Sequence, residues 1–226
     1  MAAERCAMLN GIKLVIFDMD GVMYDTERLA IQAWQAAGTK HGYTIREETV
    51  IEMIGLTAED TEAIMRRDMG SSFPYGLVKE ERLRIGRAQI EEHAVGVKDG
   101  LFEALERFGA MGLKLAVATS TDRPRTERLF ERTGTPPVFA AVVCGEDVAR
   151  RKPAPDIFLE AARRAECDSH ECLVIEDSDV GILAAHRAGM RVVFVRDIKP
   201  LSDEAGRHVL ARFDGLRALL TAAGTG

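Results

Sequence analysis

The sequence predicts an α/β protein, a doubly wound parallel sheet with an α-helical domain inserted after its first strand. Three observations predict it. Short apolar runs rich in β-branched residues alternate with helical periodicity, and strand then helix, repeated, means parallel strands covered on both faces. One stretch, residues 27 to 93, breaks the alternation and carries helical periodicity alone. Acidic, hydroxyl and basic residues come after four of the strand runs, at the end of an open parallel sheet where ligands gather.

The first strand is expected over Lys13 to Phe17, ending on Asp18. In the helical stretch, Leu29, Ala33, Trp34 and Ala37 give one apolar face, Val50, Met53 and Ile54 another, and Ala63, Ile64 and Arg67 continue in the same style. Its edges are the acidic Asp25 to Glu27 segment and the Gly96 to Gly100 segment, where two glycines and Thr26 opposite them suit a hinge. The domains are therefore expected at 1–26 with 94–226 for the sheet and 27–93 for the insertion. Further strands are expected over Leu113 to Ala118, Phe139 to Cys144, Cys172 to Ile175 and Arg191 to Val195. Helix starts are marked by Pro124 after Asp122, by Pro155 ahead of Asp156, and by Ser178 and Asp179, with Asp179 as the N-cap. Gly109 or Gly112, Gly134 and Gly189 mark helix ends. After Leu201 a polar connection leads to a final helix, Gly215 to Ala223.

Composition excludes several classes. The chain has 226 residues, 46% hydrophobic and 29% charged, enough for one core and a smaller appendage. A net charge of −6 without a basic run argues against a nucleic-acid partner. No apolar run has membrane-spanning length and no basic leader precedes one, so no membrane partner and a cytoplasmic location are expected. Cys6, Cys144, Cys167 and Cys172 lack metal-ligand spacing and are read as reduced thiols. His41, His93, His170, His186 and His208 show no ligand spacing either and are read as structural or surface groups.

The strand ends carry the chemistry. Asp18-Met19-Asp20-Gly21 follows the first strand, Thr119-Ser120-Thr121 the second, Arg151-Lys152-Pro153 the third and Glu176-Asp177-Ser178-Asp179 the fourth. Together they offer a nucleophile, a second acid/base, donors for phosphate oxygens and carboxylates for a metal. A carboxylate attacks phosphorus only if its charge and that of the phosphate are offset, which a divalent cation between them does. Asp177, with Glu176 beside it, would supply the distant carboxylate, and Mg²⁺ suits an oxygen-only site. A calcium loop is excluded, because Gly21 stands fourth and Leu29 twelfth where that loop needs Gly sixth and Glu twelfth.

The four motifs FDMDG from Phe17, VATS ending at Ser120, RKPAPDIF from Arg151 and VIEDSDVG from Val174 resemble the haloacid dehalogenase superfamily. The resemblance covers nearly the whole chain and points to the helical-cap branch that holds phosphoglycolate phosphatase and β-phosphoglucomutase. It implies a Rossmann-like core, a helical cap, and a magnesium-dependent phosphatase that hydrolyses a small phosphate monoester through an aspartyl-phosphate. By that resemblance Asp18 is the nucleophile and Asp20 the general acid and then base. Thr119 and the backbone around Ser120 hold phosphate oxygens, and Lys152 neutralises charge on Asp18 and the transferring group. Magnesium is bound by Asp18, the backbone carbonyl of Asp20 and Asp177, with Glu176 in or near the shell. Asp20 points to phosphate esters, since dehalogenases and phosphonate-cleaving members lack an aspartate there. A phosphoryl-accepting receiver domain is excluded by chain order and length.

A β-phosphoglucomutase-like mutase is the alternative. The cap cations and histidine of that enzyme fall on Ile54, Ala58 and Ala30 here, which favours hydrolysis. Arg66, Arg67, Arg82, Arg84 and Arg87 are read as a solvated helix face, with the option of meeting a second anionic group. The expected partner is a small phosphorylated metabolite, and the chain is expected to act as a monomer.

Overall fold

The computed structural model describes residues 8–92 and 94–224, so Cys6 and His93 lie outside the described residues. The chain runs β1 (Leu14–Phe17), then α1 (Thr26–Lys40), α2 (Glu47–Met53), α3 (Ala58–Met69), α4 (Tyr75–Glu92) and α5 (Leu101–Ala110). It continues through β2 (Lys114–Ala118), α6 (Arg123–Thr133), β3 (Ala141–Val143), α7 (Asp156–Arg164), β4 (Cys172–Glu176), α8 (Asp179–Arg187), β5 (Arg191–Val195), β6 (Ala211–Phe213) and α9 (Leu216–Ala222).

All four residues of β1 are fully buried, which a strand with alternating side chains achieves only when both its faces are covered. Val15 and Phe17 face one layer, packing with Phe108 of α5, Leu129 of α6 and Leu219 of α9. Leu14 and Ile16 face the other, with Phe158 of α7 and Ile182 of α8. The sheet order is β3-β2-β1-β4-β5-β6, every pair parallel. The chain winds outward from β1 to β3, then restarts at β4 and winds the other way. The order reverses beside β1, so its carboxyl end opens on the crevice at a topological switch point.

Local chemistry explains most element ends. The Asp122 side chain accepts a hydrogen bond from the Arg125 N–H, Pro124 fills the first turn of α6, and Gly134 closes it at φ 66°. At α8 the expected cap shifts by one residue. Ser178 is the extended residue whose Oγ accepts from the Gly181 N–H, while Asp179 is already helical and its carboxylate accepts from the Ser202 N–H. One strand went unread: β6 lies in the stretch taken as a polar connection. Its three residues include the exposed Arg212 and are too short to show a period.

Helices α1 to α4 form a core of their own around Trp34, Ile45, Met53, Met65 and Phe73. Trp34 of α1 stacks on Tyr75 of α4 with ring centroids 6.1 Å apart. The face expected on α3 is wrong in detail, because Met65 is its buried residue while Ala63 and Arg67 are exposed. A short helix with one inward position has too little apolar pattern to fix its phase. The two connections to the sheet run side by side. The Asp25 N–H donates to the Gly96 carbonyl at 2.8 Å and the Lys98 N–H to the Met23 carbonyl at 2.9 Å. Lys98 Nζ also reaches Asp197, just past β5, at 2.5 Å. No described helix is long and apolar enough to cross a membrane.

Phe108 is fully buried and its ring meets Phe17 at 6.3 Å. Phe108→Ala should therefore lower the unfolding free energy by about 3–5 kcal/mol in urea titrations, the range for emptying an aromatic site in a packed core. A loss below about 1 kcal/mol would contradict this packing.

Candidate active site

The carboxyl end of β1 delivers Asp18, whose N–H continues the ladder to the Ile175 carbonyl at 2.9 Å. The Lys152 ammonium donates to Asp18 Oδ1 at 2.5 Å, to Glu176 Oε1 at 2.6 Å and to the Ala118 carbonyl at 3.3 Å. It sits 4.8 Å from the Phe158 ring centroid, so three strands and α7 surround one buried cation. Burial alone would lower the Lys152 pKa, but Asp18 and Glu176 outweigh it and hold the group firmly protonated. One cation faces two carboxylates. Burial raises the Asp18 pKa well above the usual range, Lys152 opposes the rise, and the charges of Glu176 and Asp20 add to it.

Glu176 has no exposed surface, and its second oxygen accepts from the Asp177 N–H, the Ser178 N–H and the Ser178 hydroxyl, each at 2.9 Å. A Cβ on Gly181 would stand 1.7 Å from Glu176 Oε1, so glycine at the start of α8 is what lets this carboxylate reach Lys152.

Asp20 is held differently, by hydroxyls. Thr26 donates to its Oδ1 at 2.5 Å and Thr121 to its Oδ2 at 2.6 Å, with the Thr119 hydroxyl 3.5 Å from the same Oδ2. Thr119 is buried, and its Oγ1 accepts from the Thr121 N–H at 3.0 Å. Ser120 is exposed at the same turn and lines the cavity. Gly21, at φ 83°, completes the turn. Any Cβ there would lie 2.1 Å from Asp177 Oδ2, so glycine makes room for the second carboxylate as well as the backbone conformation.

Asp18, Glu176 and Asp177 can each present an oxygen within 4.8 Å of the others, and all three are buried. Burial raises the Asp177 pKa well above its ordinary value, with Glu176, Asp18, Glu27 and Asp197 adding to the rise. Buried carboxylates that outnumber their one lysine, with oxygen as the only donor type, fit a small hard divalent cation such as Mg²⁺. A second cluster, Asp168, His170 and Glu171, is largely exposed, and Lys13 engages Glu171 at 2.6 Å.

These groups floor a cavity of about 570 Å³ whose roof is the helical insertion. Ala30, Ile54 and Ala58 line it, together with Gly55 between α2 and α3. Lys199, after β5, donates to the Glu52 and Ile54 carbonyls at 3.2 and 2.9 Å and ties that turn to the sheet. Of the arginines singled out from the sequence, Arg66 pairs with Glu62, Arg67 with Glu52 and Asp68, and Arg84 with Glu81, while Arg87 is exposed. Only Arg82 of those five lines the cavity. Sequence reasoning missed Thr26 and Thr121 as holders of Asp20, and missed Glu27 and Arg125 as cavity residues. Glu27 follows the first motif closely enough to have been a signal. Burial, then Asp20 and Asp197, raise its pKa to about 7.

Fold and site together define a phosphohydrolase. Residues 15–195 match the family model described as haloacid dehalogenase-like hydrolase. The protein CbbY of Rhodobacter capsulatus is 32% identical over 193 residues, covering 80% of this chain and 84% of that one. The fructose-1-phosphate phosphatase YqaB of Escherichia coli is 30% identical over 191 residues, covering 80% and 95%. The crystal structure of CbbY from Rhodobacter sphaeroides in complex with phosphate superposes with a TM-score of 0.78 at 25% identity, covering 94% of this chain and 99% of that one. The chain belongs to the haloacid dehalogenase-like hydrolase family.

Two glycines give a contrast that checks the site. Gly181→Ala should displace Glu176 and cost roughly 1–3 kcal/mol, the penalty for disturbing a buried, hydrogen-bonded charge. Gly86, inside α4, has nothing within 4 Å of a built Cβ, and Gly86→Ala should stabilise by about 0.4–1 kcal/mol. Urea titrations of both variants decide; equal effects would mean that Gly181 is not holding space for Glu176.

Proposed function

We propose that the protein is a magnesium-dependent phosphatase that hydrolyses a small phosphate monoester, a phosphorylated sugar or kindred metabolite, through an aspartyl-phosphate on Asp18. The observation that carries this reading is the pairing of Asp18, held at 2.5 Å by Lys152, with Asp20, held by the hydroxyls of Thr26 and Thr121. Two neighbouring carboxylates in two environments suit two roles. The named activity of the E. coli relative supports a phosphorylated sugar.

In the first half-reaction an Asp18 carboxylate oxygen bonds to phosphorus as the ester P–O bond breaks, and Asp20 delivers its proton to the leaving alcohol. In the second, Asp20 takes a proton from water, which attacks the same phosphorus and releases inorganic phosphate and the Asp18 carboxylate. Thr119 and Ser120 hold phosphate oxygens, and Lys152 keeps countercharge on Asp18 and on the transferring group. The metal would be held by Asp18, the backbone carbonyl of Asp20 and Asp177, and when bound it offsets the mutual repulsion of carboxylate and phosphate. Glu176, with four donors already on its two oxygens, positions Lys152 beside that ion. Residues 1–26 and 94–226 form the catalytic core, and 27–93 the cap that shields the site from water. Apolar Ile54, Ala58 and Ala30 at the cavity wall support hydrolysis over the mutase alternative.

Asp18→Asn should abolish phosphate release, and Asp20→Asn should slow it by about 10²- to 10⁴-fold, the scale of lost acid/base catalysis. A chelator should stop the wild-type enzyme and added Mg²⁺ restore it. Released phosphate is the readout, over a panel of sugar phosphates, phosphoglycolate and nucleotides. Full activity in Asp18→Asn would overturn the covalent route. With β-glucose 1-phosphate and a trace of its 1,6-bisphosphate, glucose 6-phosphate appearing faster than phosphate would establish the mutase instead.

A further inference from the structure

Two arginines meet at the cavity without the partners such groups normally have. Arg82 comes from α4 in the helical insertion and Arg125 from the first turn of α6 on the sheet domain, and both line the cavity that holds Asp18 and Asp20. The Nε of each is buried and makes no hydrogen bond. Among the described residues the one carboxylate at ion-pair distance from either is Asp20, whose Oδ1 lies 4.0 Å from the Arg125 guanidinium and already accepts from Thr26. Glu27 faces the same cavity but forms no ion pair with either arginine. The two cations oppose each other, Arg125 being second only to burial in lowering the Arg82 pKa, while the charges of Glu27 and Asp20 act the other way without closing an ion pair to Arg82.

Both are nevertheless held in place. Arg82 sits over the Trp34 ring at 5.7 Å, and the Arg125 backbone is fixed by the Asp122 cap. Like charges brought together, each with a buried Nε left without a hydrogen bond, make an arrangement that an anion between them would stabilise, and the planar guanidinium is the group suited to bidentate contact with phosphate or carboxylate. Their position decides which anion. Lys152 holds Asp18, the residue that takes the transferring phosphate, at 2.5 Å, whereas Arg125 stands 4.0 Å from Asp20, the residue that meets the leaving oxygen.

We propose that Arg82 and Arg125 form a second anion subsite that binds a phosphate or carboxylate carried by the alcohol portion of the substrate. The proposal rests on the phosphatase reading and narrows its substrate class to bisphosphates or carboxylated phosphate esters. A group held there leaves with the alcohol once the ester P–O bond has broken, so the subsite selects the substrate without retaining an intermediate. It also draws one cation from each domain, so a substrate carrying the second anion is gripped by both sides of the cavity.

The test uses two matched pairs, fructose 1,6-bisphosphate against fructose 1-phosphate, and 3-phosphoglycerate against glycerol 3-phosphate. The wild-type enzyme with Mg²⁺ should show kcat/KM higher by about 10- to 100-fold for the anionic member of at least one pair, the scale of a charge-assisted hydrogen bond. The pair that responds tells phosphate from carboxylate. Arg82→Gln and Arg125→Gln should each shrink that preference by at least about tenfold, with Tm as the check on folding. If Arg82→Gln melts early, Arg82→Lys keeps the charge and the stem over Trp34 and should lose part of the preference. Calorimetric titration of Asp18→Asn with the four compounds reads binding without turnover and should give the same order. Hydrolysis of fructose 1-phosphate and glycerol 3-phosphate with no preference for the member that carries the second anionic group overturns the subsite and leaves the phosphatase reading standing. Binding of the anionic members that Arg82→Gln and Arg125→Gln leave within about twofold also overturns it. Release of phosphate from none of the four, with no binding to Asp18→Asn, overturns both.

Discussion

The Lys152 ammonium between Asp18 and Glu176 is the interaction on which the rest of the site depends. It joins the ends of three adjacent strands, β2 through the Ala118 carbonyl, β1 through Asp18 and β4 through Glu176. A buried ion pair is a weak source of net stability, because desolvation consumes most of the Coulomb energy, but removing one member strands the other at a large cost. The arrangement therefore specifies geometry more than it stabilises the fold. It also leaves the pocket two positive charges short, since Lys152 alone faces Asp18 and Glu176 and Asp177 adds a third buried carboxylate with no cation of its own among the described residues. That deficit is what a divalent ion would fill, so fold, charge balance and chemistry converge on one set of atoms.

Asp20 extends this constraint to the helical insertion. Its two oxygens accept from Thr26, the first residue of α1, and from Thr121, on the loop after β2. The carboxylate proposed as acid/base is thus oriented by one hydroxyl from the connection to the insertion and one from the sheet domain. Beside it the two connections are hydrogen-bonded to each other, and Lys98 on the second is anchored to Asp197 after β5. A displacement of the insertion acts on Asp20 through Thr26 over a single hydrogen bond. Placing Asp20 on this boundary couples its orientation to the position of the roof, whereas Asp18 is fixed by the sheet and by Lys152.

The sheet and its reactive ends were legible in the sequence because both depend on local pattern. β-branched runs, Gly134 and the Asp122 cap act within a few residues of themselves, and Asp18, Thr119 and Asp177 stand at strand ends whatever the helices do, while Lys152 lies on the loop that leads from β3 to α7. β6 was lost because three residues carry no period, and the face of α3 because one buried methionine does not define a phase. The Asp179 cap was misplaced because adjacent Ser and Asp are both good caps, and the choice is made by which residue leaves the extended region first. Thr26, Thr121, Glu27 and Arg125 escaped for a different reason. Apart from the closeness of Glu27 to the first motif, nothing in their immediate sequence distinguishes them from cap residues and solvated charges; their roles come from groups as far as 101 residues away, as in the Thr121 bond to Asp20.

That difference separates the two parts of the molecule. In the sheet, position along the chain dictates position in the site, so the chemistry can be read from one dimension. The insertion builds its own core around Trp34 and Phe73 and needs only a few contacts to lie over the cavity, among them the Lys199 tie to the turn before α3. Its cavity-facing residues are therefore free of the strand-end rule, although the charge of Glu27 still acts on Asp177. Ala30, Ile54 and Ala58 present apolar surface while Glu27 and Arg82 present charge, and that pattern depends on helix phase and tilt. The same autonomy that hides these residues from a sequence reading leaves Lys152 and the carboxylates it holds without a hydrogen bond to Ala30, Ile54 or Ala58, so the apolar part of the roof and the buried ion pair are set by separate contacts.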